Sequence, residues 1–183
     1  ESDQITNDVY YAVNNVELGD VMQSFSVIGE RGYAVMNNSQ KVTVVDLKTM
    51  AFQADIEGLS YPRYMVQAGS QKGYVSNGST TGTVEVIDLS SNEVTGSIPV
   101  GTGPGRMAVN GNEVWVCNEG GWLLDSTITI VDALTNTASA PVTVGHRPTS
   151  IVFDAFGYAW VLCAGETFYN ENWEVTGHSA AKL

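Results

Sequence analysis

The chain has 183 residues, 43% of them hydrophobic, which is enough length and apolar content to bury the core of one folded domain. Its 20 acidic side chains against 8 basic ones give a formal net charge of −12, which disfavours unselective binding to nucleic acid or to an anionic membrane surface. A neutral, cationic or metal-containing ligand suits this charge better.

The start of the chain and its cysteines say little about location. No run reaches the roughly 18 to 20 apolar residues that span a bilayer, and Glu1 is not followed by the basic and apolar regions of a signal peptide. We expect an export signal or a lipid-anchoring cysteine to have preceded Glu1. Cys117 and Cys163 lie in apolar, strand-like runs, which favours buried free thiols over a disulfide.

Strand-like segments recur along the chain. The first, at residues 7–13, is interpreted as a lone strand, the last of a blade that lies upstream. Three later segments are similar to one another, each contains an aspartate, and downstream of each segment a proline lies 16 residues after that aspartate. The three aspartates are 42 and 44 residues apart, which is a period typical of repeat architectures. The repeated segments are KVTVVDL at 41–47, TVEVIDL at 83–89 and TITIVDA at 127–133.

Each period resolves into four short strands, A to D. Strand A follows the proline, strand B is an aromatic and valine-rich run, strand C ends at the aspartate, and strand D follows a polar turn. The B runs lie at 32–37, 73–77, 113–118 and 157–163. One such sheet leaves both faces uncovered, whereas twisted sheets stacked around an axis cover each other, which is the architecture of a β-propeller.

The sequence therefore predicts an all-β fold, a β-propeller of four-stranded antiparallel blades with almost no helix. A long segment follows the last B run, and the chain stops where strand C of that blade is due to start. We expect a partial ring of three complete blades and parts of two others, half of a seven- or eight-bladed propeller. The single domain spans 1–183, with the end of a preceding blade at 1–20 and blades at about 21–58, 59–100, 101–144 and 145–183, the last incomplete.

One rim of the predicted ring carries most of the unusual residues. In a propeller the D-to-A and B-to-C connections emerge on the same face, and here the B-to-C loops lengthen along the chain, as functional loops often do. Aromatic plates with a few convergent polar groups suit a large, flat ligand. Alternatively, the aromatics pack under their own loops and the arginines brace the turns through backbone carbonyls. The candidate ligand-binding residues are Tyr61, Arg63, Arg106, Trp122, His146, Arg147, Phe168, Tyr169 and Trp173.

Metal binding and catalysis find little support in the sequence. His146 is able to ligate a metal, including the cobalt of a corrinoid, but a lone loop histidine is more often a surface or turn residue. Asp125 and Glu119 share a loop that suits calcium, yet no DxDxDG pattern appears. Nucleophile-elbow, phosphate-loop, dinucleotide-binding and zinc-protease signatures are also missing. We therefore predict no catalytic residue, no metal site, no resident cofactor and a protein that is not an enzyme.

Six repeated residues are interpreted as structural. An aspartate at the end of each strand C is well placed to accept hydrogen bonds from backbone N–H groups of the following turn, a commoner role there than acid or base chemistry. The prolines mark the turn that opens each next blade. The residues are Asp46, Asp88, Asp132, Pro62, Pro104 and Pro148.

The repeat resembles a known family. YVSN, TVEVID and VTGSIPVGTGPG are similar to the signatures of YVTN-type propellers, which pair a YVTN strand with VxVID and a GxxP turn. LGDVMQS at 18–24, YPRYM at 61–65 and HRPTSIVFD at 146–154 resemble segments of the Bacteroidetes surface propeller lipoproteins. Within that group the chain is similar to the BtuG-type cobalamin-binding proteins.

This resemblance implies a lipid-anchored protein on the extracellular side of the outer membrane, which captures a corrinoid such as vitamin B12, or a similar nutrient, and passes it to a TonB-dependent transporter. Cobalamin is then a ligand rather than a cofactor, and no nucleic-acid partner is expected. Two other functions stay open. One is a scaffold that docks to an outer-membrane partner; the other is a lactonase- or lyase-like enzyme, which the Gly-, Arg- and Tyr-rich axial turns favour less.

Overall fold

The computed structural model describes residues 5–183. Within them the chain forms one short helix, α1 (Val9–Asn14), and a series of antiparallel sheets whose strands follow one another in sequence. We call the successive sheets blades I to IV. Blade I contains β1 (Met22–Ile28), β2 (Arg31–Met36), β3 (Lys41–Asp46) and β4 (Phe52–Ile56). Blade II contains β5 (Pro62–Gln67), β6 (Lys72–Asn77), β7 (Thr83–Asp88) and β8 (Glu93–Pro99).

The second half of the chain repeats this pattern less completely. Blade III contains β9 (Pro104–Asn110), β10 (Glu113–Asn118), β11 (Thr127–Asp132) and a fourth strand split into β12 (Thr137–Ala138) and β13 (Val142–Thr143). Blade IV contains β14 (Pro148–Phe153) and β15 (Ala159–Cys163), and a hairpin of β16 (Thr167–Tyr169) and β17 (Val175–His178) follows it.

The first strands of successive blades lie side by side. Strand β1 contacts β5, β5 contacts β9, and β9 contacts β14. Ser24 and Ser26 of β1 each donate a 2.7 Å hydrogen bond from the hydroxyl to a backbone carbonyl of β5. The first strands therefore surround a common axis and the later strands lie outside them, which is the propeller arrangement. The all-β fold of four-stranded antiparallel blades is confirmed.

In blades I to III an aromatic residue on the second strand packs against the blade that follows. Tyr33 belongs to a buried cluster that includes Met65 of blade II. The Tyr74 hydroxyl donates a 2.9 Å hydrogen bond to Asn136 Oδ1 of blade III. Trp115 meets an aromatic ring of blade IV edge-on, with centroids 5.3 Å apart. Each blade face thus becomes a core only when the next blade covers it.

Blade IV leaves the same face uncovered. Its pairing register places Trp160 at the position of Trp115, because Trp160 lies opposite Val152 as Trp115 lies opposite Ala108. Trp160 is 48% exposed, and its neighbours Val152 and Leu162 are exposed too. The described blades therefore form an open arc, as expected for a partial ring.

Near the end of the described residues, the chain returns to pair with the second strand of blade IV. Cys163, the last residue of β15, forms an isolated antiparallel bridge with Lys182. In blades II and III the corresponding residues, Asn77 and Asn118, pair with the first residue of the third strand. Lys182 thus occupies the position at which the third strand begins in blades II and III.

The prediction of a lone strand at residues 7–13 was wrong. The residues form α1, and Asn14 binds the outer edge of blade I: its side-chain amide donates to the Met50 carbonyl at 2.9 Å and its Oδ1 accepts from the Phe52 N–H at 2.7 Å. An exposed sheet edge needs partners for its N–H and C=O groups, and a single asparagine supplies them here. A short apolar run carries too little periodicity to distinguish helix from strand.

The repeated aspartates close the turns after the third strands. The Asp46 Oδ1 accepts hydrogen bonds from the Lys48 and Thr49 backbone N–H groups at 3.0 and 2.8 Å. Asp88 and Asp132 accept equivalent bonds from the turns that follow them. These bonds lower the pKa of each carboxyl, with the largest effect from the Thr49 N–H at Asp46, the Ser90 hydroxyl at Asp88 and the Thr135 N–H at Asp132.

Three further features complete the fold. Pro62, Pro104 and Pro148 are buried and open the first strands of blades II to IV. Cys117 and Cys163 are buried free thiols, and burial raises the pKa of Cys117 to about 12. Among residues 5–183 there is no helix of the length and apolarity needed to cross a membrane.

The face-to-face packing of blades predicts unequal effects at two equivalent tryptophans. Replacing Trp115 with Ala removes a contact with blade IV, and we expect the free energy of unfolding to fall by about 2 kcal/mol. Trp160→Ala, at the uncovered position, should cost less than about 1 kcal/mol. Urea unfolding followed by circular dichroism measures both, and equal losses would contradict the open arc.

Candidate functional site

Every blade begins with a residue in the left-handed backbone conformation. Val21, Tyr61, Gly103 and Arg147 directly precede the first strands and have φ of 53°, 50°, 54° and 52°. Their carbonyls accept hydrogen bonds of 2.8 to 3.1 Å from the residue that follows the second strand of the same blade. The D-to-A turn and the B-to-C loop are thereby tied together, so both connections lie on one rim, which we call the loop rim.

A cleft of about 490 Å³ opens on this rim across blades I to III. Tyr61 is 50% exposed at one side, and Trp122 is 96% exposed at the other. Arg63, on β5 of blade II, also lines the cleft. The cleft therefore brings together three of the nine predicted binding residues. Its other lining residues are Gln23, Asn37, Gly78, Ser79, Thr80 and Gly121.

The loop that carries Trp122 is anchored at both ends. At its start, the Gly120 N–H donates to the Thr102 carbonyl at 2.9 Å. At its end, Asp125 accepts the Thr102 N–H at 2.8 Å through Oδ2 and the Arg147 N–H at 3.1 Å through its backbone carbonyl. Gly120 adopts φ of +88°, which residues with a Cβ rarely do. The exposed indole is thus presented by a fixed loop.

Arg63 forms an ion pair across two blades. Its Nη2 lies 3.0 Å from Oε2 of Glu119, and the two side chains are only 23% and 14% exposed. Glycines make room for both partners: a Cβ on Gly78 would overlap the Arg63 side chain, and one on Gly105 would overlap the Glu119 carboxylate. Glycine at positions 78 and 105 therefore leaves the space that the two charged side chains occupy.

Arg106 lies at a second cleft, nearer the axis. This cleft of about 440 Å³ is lined by the first strands of blades I to IV. The Arg106 guanidinium carbon stands 4.9 Å above the ring of Tyr64, a cation–π geometry. Gln23 borders both clefts, so the two adjoin.

The remaining predicted residues gather around blade IV. Arg147 pairs through Nε with the Glu166 carboxylate, and both line a polar cleft of about 460 Å³ that Tyr169 also borders. His146 meets Phe168 edge-on at 5.6 Å between centroids, and its buried Nδ1 lacks a hydrogen-bond partner among the described residues.

The hairpin that follows blade IV carries two further aromatics in contact. Tyr169 and Trp173 lie 6.2 Å apart, and Trp173 is 83% exposed. The predicted set is thus divided between a first group on blades II and III and a second group on blade IV and the hairpin that follows it.

The two acidic side chains that share a loop, Asp125 and Glu119, are engaged by groups of the protein itself. Asp125 uses Oδ1 to accept the Ser126 and Thr127 N–H groups, and Glu119 is paired with Arg63. Within the described part of the chain, no three His, Cys, Asp or Glu side chains cluster closely enough to hold a metal ion.

Sequence reasoning assigned Glu119 and Glu166 no role toward the arginines. Both carboxylates follow a second strand by only a few residues, on the rim that carries the arginines. This position in the repeat is the sequence feature from which a pairing with the arginines could have been predicted. The pairing itself depends on the distance between blades, which the repeat does not specify.

Two features define the class of this protein: four-stranded sheets around an axis, and loop-lined clefts on one rim. It is a β-propeller protein. Its sequence matches the family described as a domain of unknown function, DUF5074, over residues 1–166, and the chain belongs to that family. The comparison with curated protein sequences gives no match.

Solved structures agree on the fold. Hydrazine synthase from Kuenenia stuttgartiensis is 16% identical, with a TM-score of 0.68, over 82% of this chain and 46% of its own. Dihydro-heme d1 dehydrogenase NirN in complex with DHE is 16% identical, with a TM-score of 0.66, over 89% and 40%. The WD40 β-propeller domain of Doa1 is 11% identical, with a TM-score of 0.63, over 76% and 47%. The chain spans less than half the length of these structures, and the likeness concerns the fold alone.

The space reserved for Glu119 is testable with two glycine substitutions. Gly105→Ala places a methyl group where the carboxylate lies, so we expect the Arg63–Glu119 pair to break and the free energy of unfolding to fall by about 1 to 2 kcal/mol. Gly96→Ala is the control, because its Cβ makes only ordinary contacts with Val86. Urea unfolding of both variants checks this, and similar stability for the two would contradict it.

Proposed function

We propose that this chain is a ligand-binding propeller that holds a large, flat, partly apolar ligand on the loop rim, and that it is not an enzyme. The observation that carries the proposal is Trp122, whose side chain is 96% exposed although its loop is anchored at both ends. Burying an indole is favourable, and an exposed indole loses that free energy. A fixed loop that keeps its indole in water is therefore best explained by a binding partner that covers the indole.

The cleft beside Trp122 has the chemistry of a binding site for such a ligand. Tyr61 offers a second exposed ring, and Gln23, Ser79 and Thr80 offer amide and hydroxyl groups. Aromatic faces stack on flat, apolar ligands, and a few polar groups then fix their orientation. The lining therefore suits a ligand with an apolar plane and polar, uncharged edges.

A corrinoid is the ligand that this chemistry and the family resemblance favour together. A corrin ring is flat and carries amide side chains around its edge. NirN is a dihydro-heme d1 dehydrogenase with a structure in complex with DHE, so a protein with a related fold handles a heme-type macrocycle. With this ligand, the resemblance further favours a lipid-anchored, extracellular protein on the outer membrane that delivers the corrinoid to a TonB-dependent transporter.

A protein-docking role is the second candidate. Leu123 and Leu124 follow Trp122 and are 54% and 53% exposed, so the tip of the loop presents three apolar side chains in a row. Such a tip suits a protein partner as well as a ligand. The two functions differ in that only the first requires a small molecule.

Titration with cyanocobalamin tests the proposal. We expect binding at micromolar concentration or tighter, and Trp122→Ala should weaken it at least about tenfold, because the stacking contact is lost. Phe156→Ala is the matched control: Phe156 is an 87% exposed aromatic in the turn between β14 and β15, on the opposite rim. Calorimetry measures all three.

Absence of cyanocobalamin binding at micromolar concentration would remove the corrinoid version. Equal weakening by Trp122→Ala and Phe156→Ala would remove the loop rim as the site. Recovery of an outer-membrane protein that depends on Trp122, without corrinoid binding, would favour the docking role.

A further inference from the structure

The arginine of the candidate cleft is already neutralised. Arg63 and Glu119 are mostly shielded from water, and their charged groups lie 3.0 Å apart. Interactions between such partly buried charges are screened less than those between surface charges. A ligand that enters the cleft therefore meets a paired guanidinium and not a free cation.

The other two arginines of the candidate set are engaged as well. Arg147 is paired with Glu166, and the Arg106 guanidinium covers the ring of Tyr64. The whole chain has a net charge of −12. Arg63 is the arginine that lines the cleft beside Trp122, so an anionic ligand in that cleft would approach a negative protein without gaining an unpaired guanidinium there.

The Glu119 carboxylate is fixed by more than the ion pair. Its Oε1 lies 3.4 Å from the Arg106 backbone nitrogen, which donates to it, and Gly105 leaves the space that it occupies. Its own backbone N–H is held by the Gly103 carbonyl at 3.1 Å. Because several contacts fix the carboxylate, displacing it to reach Arg63 would cost a ligand much of its binding free energy.

We propose that Glu119 is a specificity-determining residue, whose pairing with Arg63 makes the cleft select uncharged, amide-bearing ligands over their carboxylate counterparts. This inference rests on the ligand-binding function proposed above. Gln23, Ser79 and Thr80 provide hydrogen-bonding groups for amides. A ligand carboxylate would be desolvated beside an arginine whose charge Glu119 already neutralises, and would gain no ion pair in return.

Two corrinoids that differ in charge test this selectivity. Cyanocobalamin carries amide side chains and no net charge, whereas a cyanocobalamin monocarboxylic acid carries a carboxylate in place of one of these amides. The unaltered chain should bind cyanocobalamin at least about tenfold more tightly. Glu119→Gln frees Arg63 for an anion, so the preference should shrink by about tenfold, the effect of one charged hydrogen bond.

The control changes the net charge by the same amount elsewhere. Glu93 is exposed at the start of β8, beside the turn on the opposite rim. Glu93→Gln should therefore change the preference for cyanocobalamin by less than about twofold. The double variant Arg63→Gln/Glu119→Gln removes both charges and should restore most of the preference for the amide ligand. Gly105→Ala, which displaces the same carboxylate, serves as the second variant if Glu119→Gln does not fold.

The outcomes separate the two proposals. Absence of cyanocobalamin binding by the unaltered chain would overturn the corrinoid function and this inference together. Tight cyanocobalamin binding with the same preference in Glu119→Gln and Glu93→Gln would overturn the inference alone. A reduced preference that persists in the double variant would also overturn it, because the effect would then not come from Arg63.

Discussion

Face-to-face burial of adjacent blades is the interaction on which the structure depends. One aromatic side chain of each of the first three blades projects from its sheet and packs against the next blade; these are Tyr33, Tyr74 and Trp115. The buried clusters therefore lie between blades rather than within them. A single four-stranded sheet has no core of its own, so the position of each blade is set by its neighbours. The exposed face of Trp160 follows from the same rule.

This packing also positions the loop rim. Because strand β5 is fixed against β9, Arg63 of one blade reaches Glu119 of the next, and the cleft forms where the two blades meet. The left-handed residue before each first strand then ties the two connections of a blade together. The arrangement leaves loop sequence free to vary while the backbone that carries it stays fixed, which is why such rims suit recognition.

The sequence predicts the repeated parts of the fold well and the unique parts poorly. Asp46, Asp88 and Asp132 recur with their prolines, and strands of blades I to III follow from that period. Residues 7–13 have no repeat partner, and whether they pair as a strand or cap an edge as α1 depends on the surface they meet. The hairpin β16–β17 likewise lies in a segment that the repeat does not describe.

The sequence predicted which rim of the propeller carries the candidate site, but it did not predict which side chains of that rim contact one another. Tyr61, Arg63 and Trp122 share a cleft because three consecutive blades bring them together. Phe168, Tyr169 and Trp173 instead lie on the hairpin that follows blade IV. The partners of the arginines were missed because an ion pair between blades needs atomic distances. Sequence periodicity gives the order of elements, and packing decides which side chains meet.

Hydrogen–deuterium exchange with and without saturating cyanocobalamin tests most directly the claim that recognition occurs on the loop rim. The account predicts slower backbone exchange at residues 61–64 and 119–125 when the ligand is present, with no change in the turns that follow Asp46, Asp88 and Asp132 on the opposite rim. Protection confined to those turns, or saturation without any protection at 119–125, would contradict it.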